Sequence, residues 1–156
     1  MRYKNYILKR MTKISIGIAA DHAGFDFKEK LKIYLEKEGY EIKDYGTYSN
    51  ESTDYPDYAH PLADAIDKGV HKIGITICGS GNGINMTANK HQAVRAALCW
   101  NTEISELARL HNDANICSLP ARFVEYNVAK EIVNVFLNTK FEGGRHLRRI
   151  EKIPVH

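Results

Sequence analysis

The sequence lacks any long hydrophobic run. No stretch of about 18 or more apolar residues occurs, which is the length that a membrane-spanning helix needs, so no membrane association is expected. The first ten residues, MRYKNYILKR, are basic and aromatic. They have neither the apolar centre nor the small-residue cleavage site of a signal peptide. We therefore expect a cytoplasmic protein.

Cysteine is scarce, and its spacing is not that of a scaffold. The three cysteines, Cys78, Cys99 and Cys117, are odd in number and form no C-x-x-C pair. This pattern argues against a disulfide framework or a zinc site and is typical of a reducing compartment. Cys99 and Cys117 are predicted core residues. A large excess of one charge sign is also lacking, because the net charge is only +3. Nucleic acid is therefore not an expected partner.

The remaining composition is that of one globular domain. The 156 residues are 44% hydrophobic and 26% charged, which is enough apolar material to bury a core. The first strand-like pattern begins just after Met11. We predict an N-terminal extension at residues 1–11 and a single domain over residues 12–156.

Short apolar runs alternate with helical patterns along the predicted domain. Strands are predicted at residues 14–19, 40–46, 73–77, 93–98 and 115–119, and helical spacing of apolar residues follows each one. The segment GGRHLRRIEKI at residues 143–153 predicts a C-terminal basic helix. Alternation of this kind predicts an α/β fold, in which helices cover both faces of a five-stranded parallel sheet.

Polar residues recur near the ends of the predicted strands. They are Asp21, His22, Cys78, His111, Asn112 and Arg122. In open parallel sheets, ligands bind beyond the carboxyl ends of the strands. We therefore expect these side chains to lie together on one edge of the sheet.

The segment CGSGNGI at residues 78–84 carries glycine at every second position. It is not a P-loop, because no Gly-Lys-Ser/Thr follows. Ile84 stands where the dinucleotide fingerprint needs glycine and where a phosphatase loop needs arginine. A strand–loop–helix turn with bare backbone N–H groups can bind an anion. The alternative is a tight turn in which glycine only permits positive φ.

The candidate side chains each allow two interpretations. Cys78 can be a nucleophile or base, because a nearby helix N-terminus favours the thiolate, or it can be a buried core residue. His111 can contact the last carbonyls of a helix or can act as a general acid or base. Arg145 and Arg149 lie one helical turn apart, which suits a phosphate group but also a solvated basic face. His146, between them, is expected to be solvated.

Several separated motifs together resemble one family. They are ADHAGFDFKEKL, GTYSNESTDYPDYA, ICGSGNGINMTANK, VRAAL, LHNDAN and GGRHLRRI, in the order and spacing of ribose-5-phosphate isomerase type B. The chain is also similar to the wider group that includes allose-6-phosphate and galactose-6-phosphate isomerases. The resemblance covers residues 12–153. It implies a Rossmann-like three-layer α/β/α sandwich and a homodimer with active sites between subunits, sometimes paired into a tetramer.

The resemblance also implies an activity and a set of site residues. The reaction is aldose–ketose isomerisation of a sugar phosphate, D-ribose 5-phosphate to D-ribulose 5-phosphate, with no metal and no cofactor. Cys78 resembles the base that takes the proton beside the carbonyl, and His111 resembles the acid that opens the sugar ring. The loop that holds the enediolate corresponds to Gly79, Ser80, Gly81, Asn82 and Gly83, with Ser80 among the catalytic residues. Substrate-binding residues by the same resemblance are Asp21, His22, Tyr55, Asn112, Arg122, Arg145 and Arg149, the three arginines as phosphate ligands.

The sequence departs from the family pattern at three places. Ser80 stands where threonine is frequent, Ala20 where cysteine is common, and SLPAR at residues 118–122 replaces a more glycine-rich segment, which could shift Arg122. Two alternatives stay open, namely the same chemistry on a six-carbon or tetrose phosphate and a phosphosugar-binding module without catalysis. A nucleotide-binding or phosphoacceptor domain shares the fold, but it needs a fingerprint or an acidic cluster where Cys78 stands.

Overall fold

The computed structural model describes residues 13–156. Its elements are β1 (Ser15–Ala20), α1 (Phe25–Lys37), β2 (Glu41–Asp44), α2 (Tyr55–Asp67), β3 (Ile73–Cys78), α3 (Asn82–Ala88), β4 (Ala96–Leu98), α4 (Thr102–Asn112), β5 (Ile116–Pro120), α5 (Tyr126–Asn138), a 3-10 turn (Gly144–His146) and α6 (Leu147–Ile150). The predicted extension at residues 1–11 lies outside the described residues, as does the first residue of the predicted domain.

The five strands form one parallel sheet in the order β2-β1-β3-β5-β4. This confirms the predicted five-stranded parallel sheet. The central strand β3 has β1 and β5 as neighbours, and Cys78 at its end pairs with Pro120 of β5. On the other side, Ile77 pairs with Ala20 of β1. The chain segments that follow these three strands therefore emerge side by side at the carboxyl edge.

Helices cover both faces of the sheet, as the alternating pattern predicts. One face packs against α1, α4 and α5 through residues such as Leu35, Ala108 and Phe136. The opposite face packs against α2 and α3, where Leu62 and Ala88 are fully buried. Each fully buried Leu, Ile or Phe side chain contributes about 1.5–3 kcal/mol. The expected three-layer α/β/α sandwich is thus confirmed.

Helix α2 begins at Tyr55, three residues before its apolar stripe starts at Tyr58. Asp54 before it has extended backbone, and Pro56 occupies the first turn, where its missing N–H costs nothing. The spacing of apolar residues does not predict this first turn of α2, because the turn packs no apolar residue against the sheet. The early start places Tyr55 in the first turn of α2.

The C-terminal basic helix is present but short. It consists of the 3-10 turn followed by the single turn of α6, not a continuous helix over residues 143–153. Gly143 and Gly144 have φ of 73° and 56°, a left-handed conformation that no α-helix contains. The two glycines therefore make a turn before the basic residues. No helix within residues 13–156 is long and apolar enough to cross a membrane.

Candidate active site

A cavity of about 450 Å³ opens at the carboxyl edge of the sheet, where β1, β3 and β5 end. It is lined by Asp21, His22, Ala23, Tyr55, Cys78, Gly79, Ser80, Gly83, Arg122 and Phe123. Neighbouring parallel strands end at the same edge, and the residues that follow them converge there. Most of the predicted site residues are in this lining. Arg122 is among them, although SLPAR replaces the glycine-rich segment expected before it.

Cys78 is the last residue of β3 and is 4% exposed. Its side chain packs with Ala59 and Ile84. The Sγ atom accepts a hydrogen bond from the backbone N–H of Gly81 at 3.1 Å. A backbone donor in this position stabilises a sulfur that carries negative charge. The thiol therefore combines shelter from water with access to the cavity.

The glycine loop brings bare backbone to the cavity. Gly81 has φ of 75°, and a Cβ atom there would collide with Leu98 and lie 3.2 Å from the backbone nitrogen of Pro120. Within the described chain, the N–H groups of Gly79, Ser80 and Gly83 donate no hydrogen bond, and all three residues line the cavity. Free, fixed N–H donors of this kind can stabilise a negatively charged oxygen.

Hydrogen bonds hold both polar side chains that follow β1. Asp21 is 7% exposed, and its Oδ1 accepts from the N–H groups of Ala23 at 2.9 Å and Gly24 at 3.2 Å. The Nδ1 atom of His22 lies 3.2 Å from the nitrogen and 3.3 Å from the oxygen of Thr53. Thr53 is not among the predicted site residues, although it belongs to the same TDYP segment as Tyr55.

Two side chains lie directly against glycines of the loop. A Cβ atom on Gly83 would lie 2.8 Å from the hydroxyl oxygen of Tyr55, and one on Gly79 would lie 3.3 Å from Nη1 of Arg122. Arg122 is exposed and forms no salt bridge with any described residue. Phe123 lines the cavity and is 75% exposed. Phe123 is not among the predicted site residues, although it follows β5 closely enough for the strand-end rule to find it.

His111 and Asn112 lie at the opposite, amino edge of the sheet. The prediction that all strand-end groups share one edge is therefore wrong for these two residues. They end α4, which returns from the carboxyl edge after β4 to the start of β5. Strand β5, five residues long, runs from that point to Pro120, the partner of Cys78. A strand of this length spans about 16 Å.

His111 belongs to a cluster with Glu142 and His146. The two imidazole rings are stacked, with centroids 4.3 Å apart and planes at 14°. Their Nε2 atoms lie 3.8 Å (His111) and 3.7 Å (His146) from Oε2 of Glu142. His146 is 6% exposed, so the expectation that it is solvated is wrong. The turn at Gly143 folds the tail back onto α4, where the N–H of Glu142 donates to the carbonyl of Leu110 at 3.1 Å.

The environment of His146 disfavours its charged form. Burial lowers the pKa of this imidazole below its usual value, and a charge on His111 lowers the pKa further. Glu142 acts in the opposite direction, because a carboxylate stabilises an imidazolium. Arg145 and Arg149 add to the lowering of the pKa.

The predicted site residues thus fall into two groups. The carboxyl-edge group consists of Asp21, His22, Tyr55, Cys78, Gly79, Ser80, Gly81, Asn82, Gly83 and Arg122, in which the N–H of Asn82 donates to Ser80 Oγ at 3.2 Å. The amino-edge group consists of His111, Asn112, Arg145 and Arg149. Both of its arginines are exposed and have no salt-bridge partner within residues 13–156. One chain does not bring the two groups together.

Comparison with known proteins identifies the family. Residues 16–153 match the Ribose/Galactose Isomerase family. The chain is 43% identical over 143 residues to ribose-5-phosphate isomerase B of Escherichia coli (strain K12), covering 92% of this chain and 95% of the relative. It is 40% identical over 141 residues to D-erythrulose-4-phosphate isomerase of Pectobacterium atrosepticum, covering 90% of this chain and 93% of that protein.

Solved structures agree with the sequence relatives. Ribose-5-phosphate isomerase B of Clostridium thermocellum superposes with a TM-score of 0.89 at 45% identity, covering 90% of this chain and 95% of the other. The Mycoplasma genitalium enzyme, with bound ribulose-5-phosphate, superposes with a TM-score of 0.86 at 42% identity, covering 90% of this chain and 93% of that one. The chain therefore belongs to the ribose/galactose isomerase family and is a sugar-phosphate isomerase of the same type as ribose-5-phosphate isomerase B.

Proposed function

We propose that the protein interconverts D-ribose 5-phosphate and D-ribulose 5-phosphate without a metal, with Cys78 as the catalytic base. One observation carries the proposal. The sulfur of Cys78 accepts the Gly81 N–H and shares its cavity with Gly79, Ser80 and Gly83, whose N–H groups are unpaired within the described residues. The sulfur that can accept a proton thus lies beside N–H donors that can stabilise the negative oxygen formed when the proton leaves the sugar.

The chemistry of the reaction uses both features. The Cys78 thiolate takes the proton from the sugar carbon next to the aldehyde, and the electron pair moves onto the carbonyl oxygen. The enediolate that forms is negatively charged, and the loop N–H groups bind it without reorganising. Each donor lowers the activation free energy by about 3 kcal/mol. The Ser80 hydroxyl adds a side-chain donor. A proton moves from the hydroxyl on the neighbouring carbon to the former carbonyl oxygen, and the thiol returns its own proton to the former carbonyl carbon, which yields the ketose.

At each active site, the amino-edge group comes from the other copy of the chain. In a homodimer with a twofold axis, the cavity of each protomer meets His111 and Asn112 of the partner, which gives two equivalent sites. His111 acts as the acid that opens the sugar ring, and Asn112 binds the sugar. The separation of His111 from Cys78 by the full length of β5 supports this arrangement. A homodimer is therefore the smallest active unit, and paired dimers are compatible with it.

Arginines anchor the phosphate at both ends of this composite site. Arg122 contributes from the carboxyl-edge group, while Arg145 and Arg149 contribute from the partner. Their lack of salt bridges within the described part of the chain supports this role, because a guanidinium group already paired to a carboxylate binds phosphate less readily. Binding energy from the phosphate, remote from the reacting carbon, positions the sugar against Cys78.

A tetrose phosphate is the second candidate substrate. The relative from Pectobacterium atrosepticum is a D-erythrulose-4-phosphate isomerase at 40% identity, close to the 43% identity of the Escherichia coli enzyme. Similar identity to both therefore does not separate a five-carbon from a four-carbon substrate.

The test is a turnover assay on ribose 5-phosphate, erythrulose 4-phosphate and allose 6-phosphate, with a chelator present. We expect turnover on ribose 5-phosphate and its loss, by about 1,000-fold, in Cys78→Ala. Cys99→Ala is the matched control, because Cys99 is a buried thiol outside the cavity. Turnover of another sugar phosphate alone would change the substrate and keep the mechanism. Full activity of Cys78→Ala would remove Cys78 as the base, and binding without turnover would favour a phosphosugar-binding module.

A further inference from the structure

We propose that His111, Glu142 and His146 form a binding site for a divalent transition-metal ion such as Zn²⁺, and that an ion bound there inhibits the isomerase. Each residue offers one ligand atom, and the three atoms lie within 4.8 Å of one another. Two imidazoles and a carboxylate are a donor set that Zn²⁺ uses together with a water or an external ligand. Mg²⁺ and Ca²⁺ prefer oxygen donors, so the site selects against them.

The distances suit a small tetrahedral ion. Oε2 of Glu142 lies 3.7 Å from Nε2 of His146 and 3.8 Å from Nε2 of His111. Two ligands that bind tetrahedral Zn²⁺ at about 2.0–2.2 Å each are about 3.4 Å apart. The two Glu142 distances therefore close on an ion with a movement of a few tenths of an ångström, and the stacked rings must tilt so that both imidazole nitrogens face it.

A buried atom without a partner points to a missing ligand. The Nε2 atom of His146 is buried and has no hydrogen-bond partner among the described residues. It lies on the side of the ring that approaches Glu142, yet at 3.7 Å it is too far for a hydrogen bond. Buried polar side-chain atoms are nearly always paired with protein or with a bound group. A metal ion between the two side chains would give this nitrogen its partner.

The backbone holds the three residues in place before any ion arrives. The N–H of Glu142 donates to the carbonyl of Leu110 at 3.1 Å, next to His111 in the chain. The N–H of His146 donates to the carbonyl of Gly143 at 3.1 Å, which closes the turn between Glu142 and His146. The side chains of His111 and Glu142 are 39% and 60% exposed, so an ion can enter and keep water ligands.

Inhibition follows from the role of His111 as the ring-opening acid, so the inhibitory effect rests on the proposed function. An imidazole nitrogen bound to a metal ion has no free lone pair and cannot shuttle a proton. The ion would also place positive charge close to Arg145 and alter phosphate binding. Catalysis itself stays independent of metal, so a chelator protects the activity instead of removing it.

Binding is tested with Co²⁺ as a spectroscopic probe on the full-length chain without a histidine tag. Wild type is expected to give the intense visible absorption of low-symmetry, four-coordinate Co²⁺, which excess Zn²⁺ displaces. Glu142→Gln, at an exposed position, is expected to weaken binding at least tenfold, a loss typical of a damaged coordination shell, about 10–100-fold. His146→Asn is expected to abolish the spectrum. Unchanged spectra in both variants would overturn the site.

Two controls separate this site from other metal-binding groups. Cys78→Ala must retain the Co²⁺ spectrum, because a thiolate site would instead be lost with the sulfur. The exposed pair His60 and His91, with ring nitrogens 2.9 Å apart, is the other close pair of histidines. His91→Gln must also retain the spectrum. Loss of binding in either control would assign the ion elsewhere and refute the proposal.

Inhibition is tested as the ratio of activity with and without Zn²⁺ within each variant. Wild type is expected to lose activity as Zn²⁺ saturates the site and to regain it with chelator. Glu142→Gln is expected to need at least about tenfold more Zn²⁺. Equal inhibition of both proteins would attribute the effect to Cys78 and overturn the inhibitory role. The Co²⁺ spectrum does not depend on turnover, so a protein without isomerase activity would still report whether the metal site exists.

Discussion

The carboxyl-edge group and the amino-edge group are built in different ways. The first is assembled within one chain, since β1, β3 and β5 end side by side and α2 starts beside them. The second lies at the far end of the sheet, on the last turn of α4 and on the folded-back tail. Under the proposed function, the site is therefore complete only when two copies face each other.

The two groups also differ in their chemical means. The carboxyl-edge group relies on backbone N–H groups that the glycine loop fixes in space. The amino-edge group relies on side chains, several of them exposed and without salt bridges to any residue in the described part of the chain. A fixed backbone dipole stabilises charge without reorganisation, while long charged side chains adapt to a phosphate at an interface. Four changes to the protein sharpen or break this comparison.

The largest effect is expected from mixing two inactive variants. Cys78→Ala and His111→Asn should each lose about 1,000-fold in turnover, since each removes a proton-transfer group. Refolded together, they should recover about a quarter of wild-type activity, because half of randomly paired dimers are mixed and each has one intact site. Sites contained within one chain would give no recovery. Analytical ultracentrifugation of the mixture checks that dimers form.

A substitution in the glycine loop should give the next largest effect, on the free energy of unfolding. Gly81→Ala combines positive φ with a collision against Leu98, and we expect a loss of about 3 kcal/mol in the free energy of unfolding. Gly69→Ala is the matched control, because Gly69 has φ of 74° but open space around its Cα. That control should lose about 1 kcal/mol. Equal losses in urea titrations would mean that the loop yields to a side chain.

The phosphate anchor of the amino-edge group should give a smaller change. Arg145→Ala is expected to raise KM about tenfold with a smaller fall in kcat, since Arg122 and Arg149 still hold the phosphate and position the sugar. Arg148→Ala is the control, because Arg148 is exposed on α6, directly after the turn that carries Arg145, and is not a proposed phosphate ligand. Steady-state kinetics measure both. Equal KM values for the two variants would place the phosphate away from Arg145.

The smallest effect concerns a histidine of the amino edge that has no part in the site. His71 is 6% exposed, and its ring nitrogens lie 2.8 Å from Ser15 Oγ and 2.8 Å from the Tyr45 hydroxyl. Burial lowers the pKa of His71, while Glu41 opposes and Lys43 assists the lowering. Below the usual histidine pKa of about 6.5, the unfolded chain therefore binds more protons at this residue than the folded protein does.

The sign of the pH effect follows from that difference in bound protons. The free energy of unfolding should fall as pH drops from about 6.5 toward the lower folded pKa, by at most about 1.4 kcal/mol per pH unit. Above pH 6.5 this contribution is fully present and constant. His71→Asn should be less stable at neutral pH and should lack this slope. Urea titrations at several pH values measure it, and identical slopes in both proteins would contradict the assignment.

Much of the carboxyl-edge group could be predicted from the sequence. Apolar runs of strand length mark β1, β3 and β5, and the polar residues that follow them are local in sequence. Glycine spacing after Cys78 indicates a backbone loop, because alternating glycines remove the side chains that would fill it. Family motifs add Tyr55, whose place on α2 depends on a first turn that hydrophobic periodicity does not detect.

The amino-edge group shows what the sequence by itself did not determine. His111 precedes a strand instead of following one, and only the return path of α4 decides which edge it reaches. His146 stands among arginines in the sequence, yet the turn at Gly143 buries it against His111. Local patterns determine which segments become strands, helices and loops, because those depend on neighbouring residues. Which edge a residue reaches, and what covers it, depends on contacts between distant segments, and these are decided only when the chain packs.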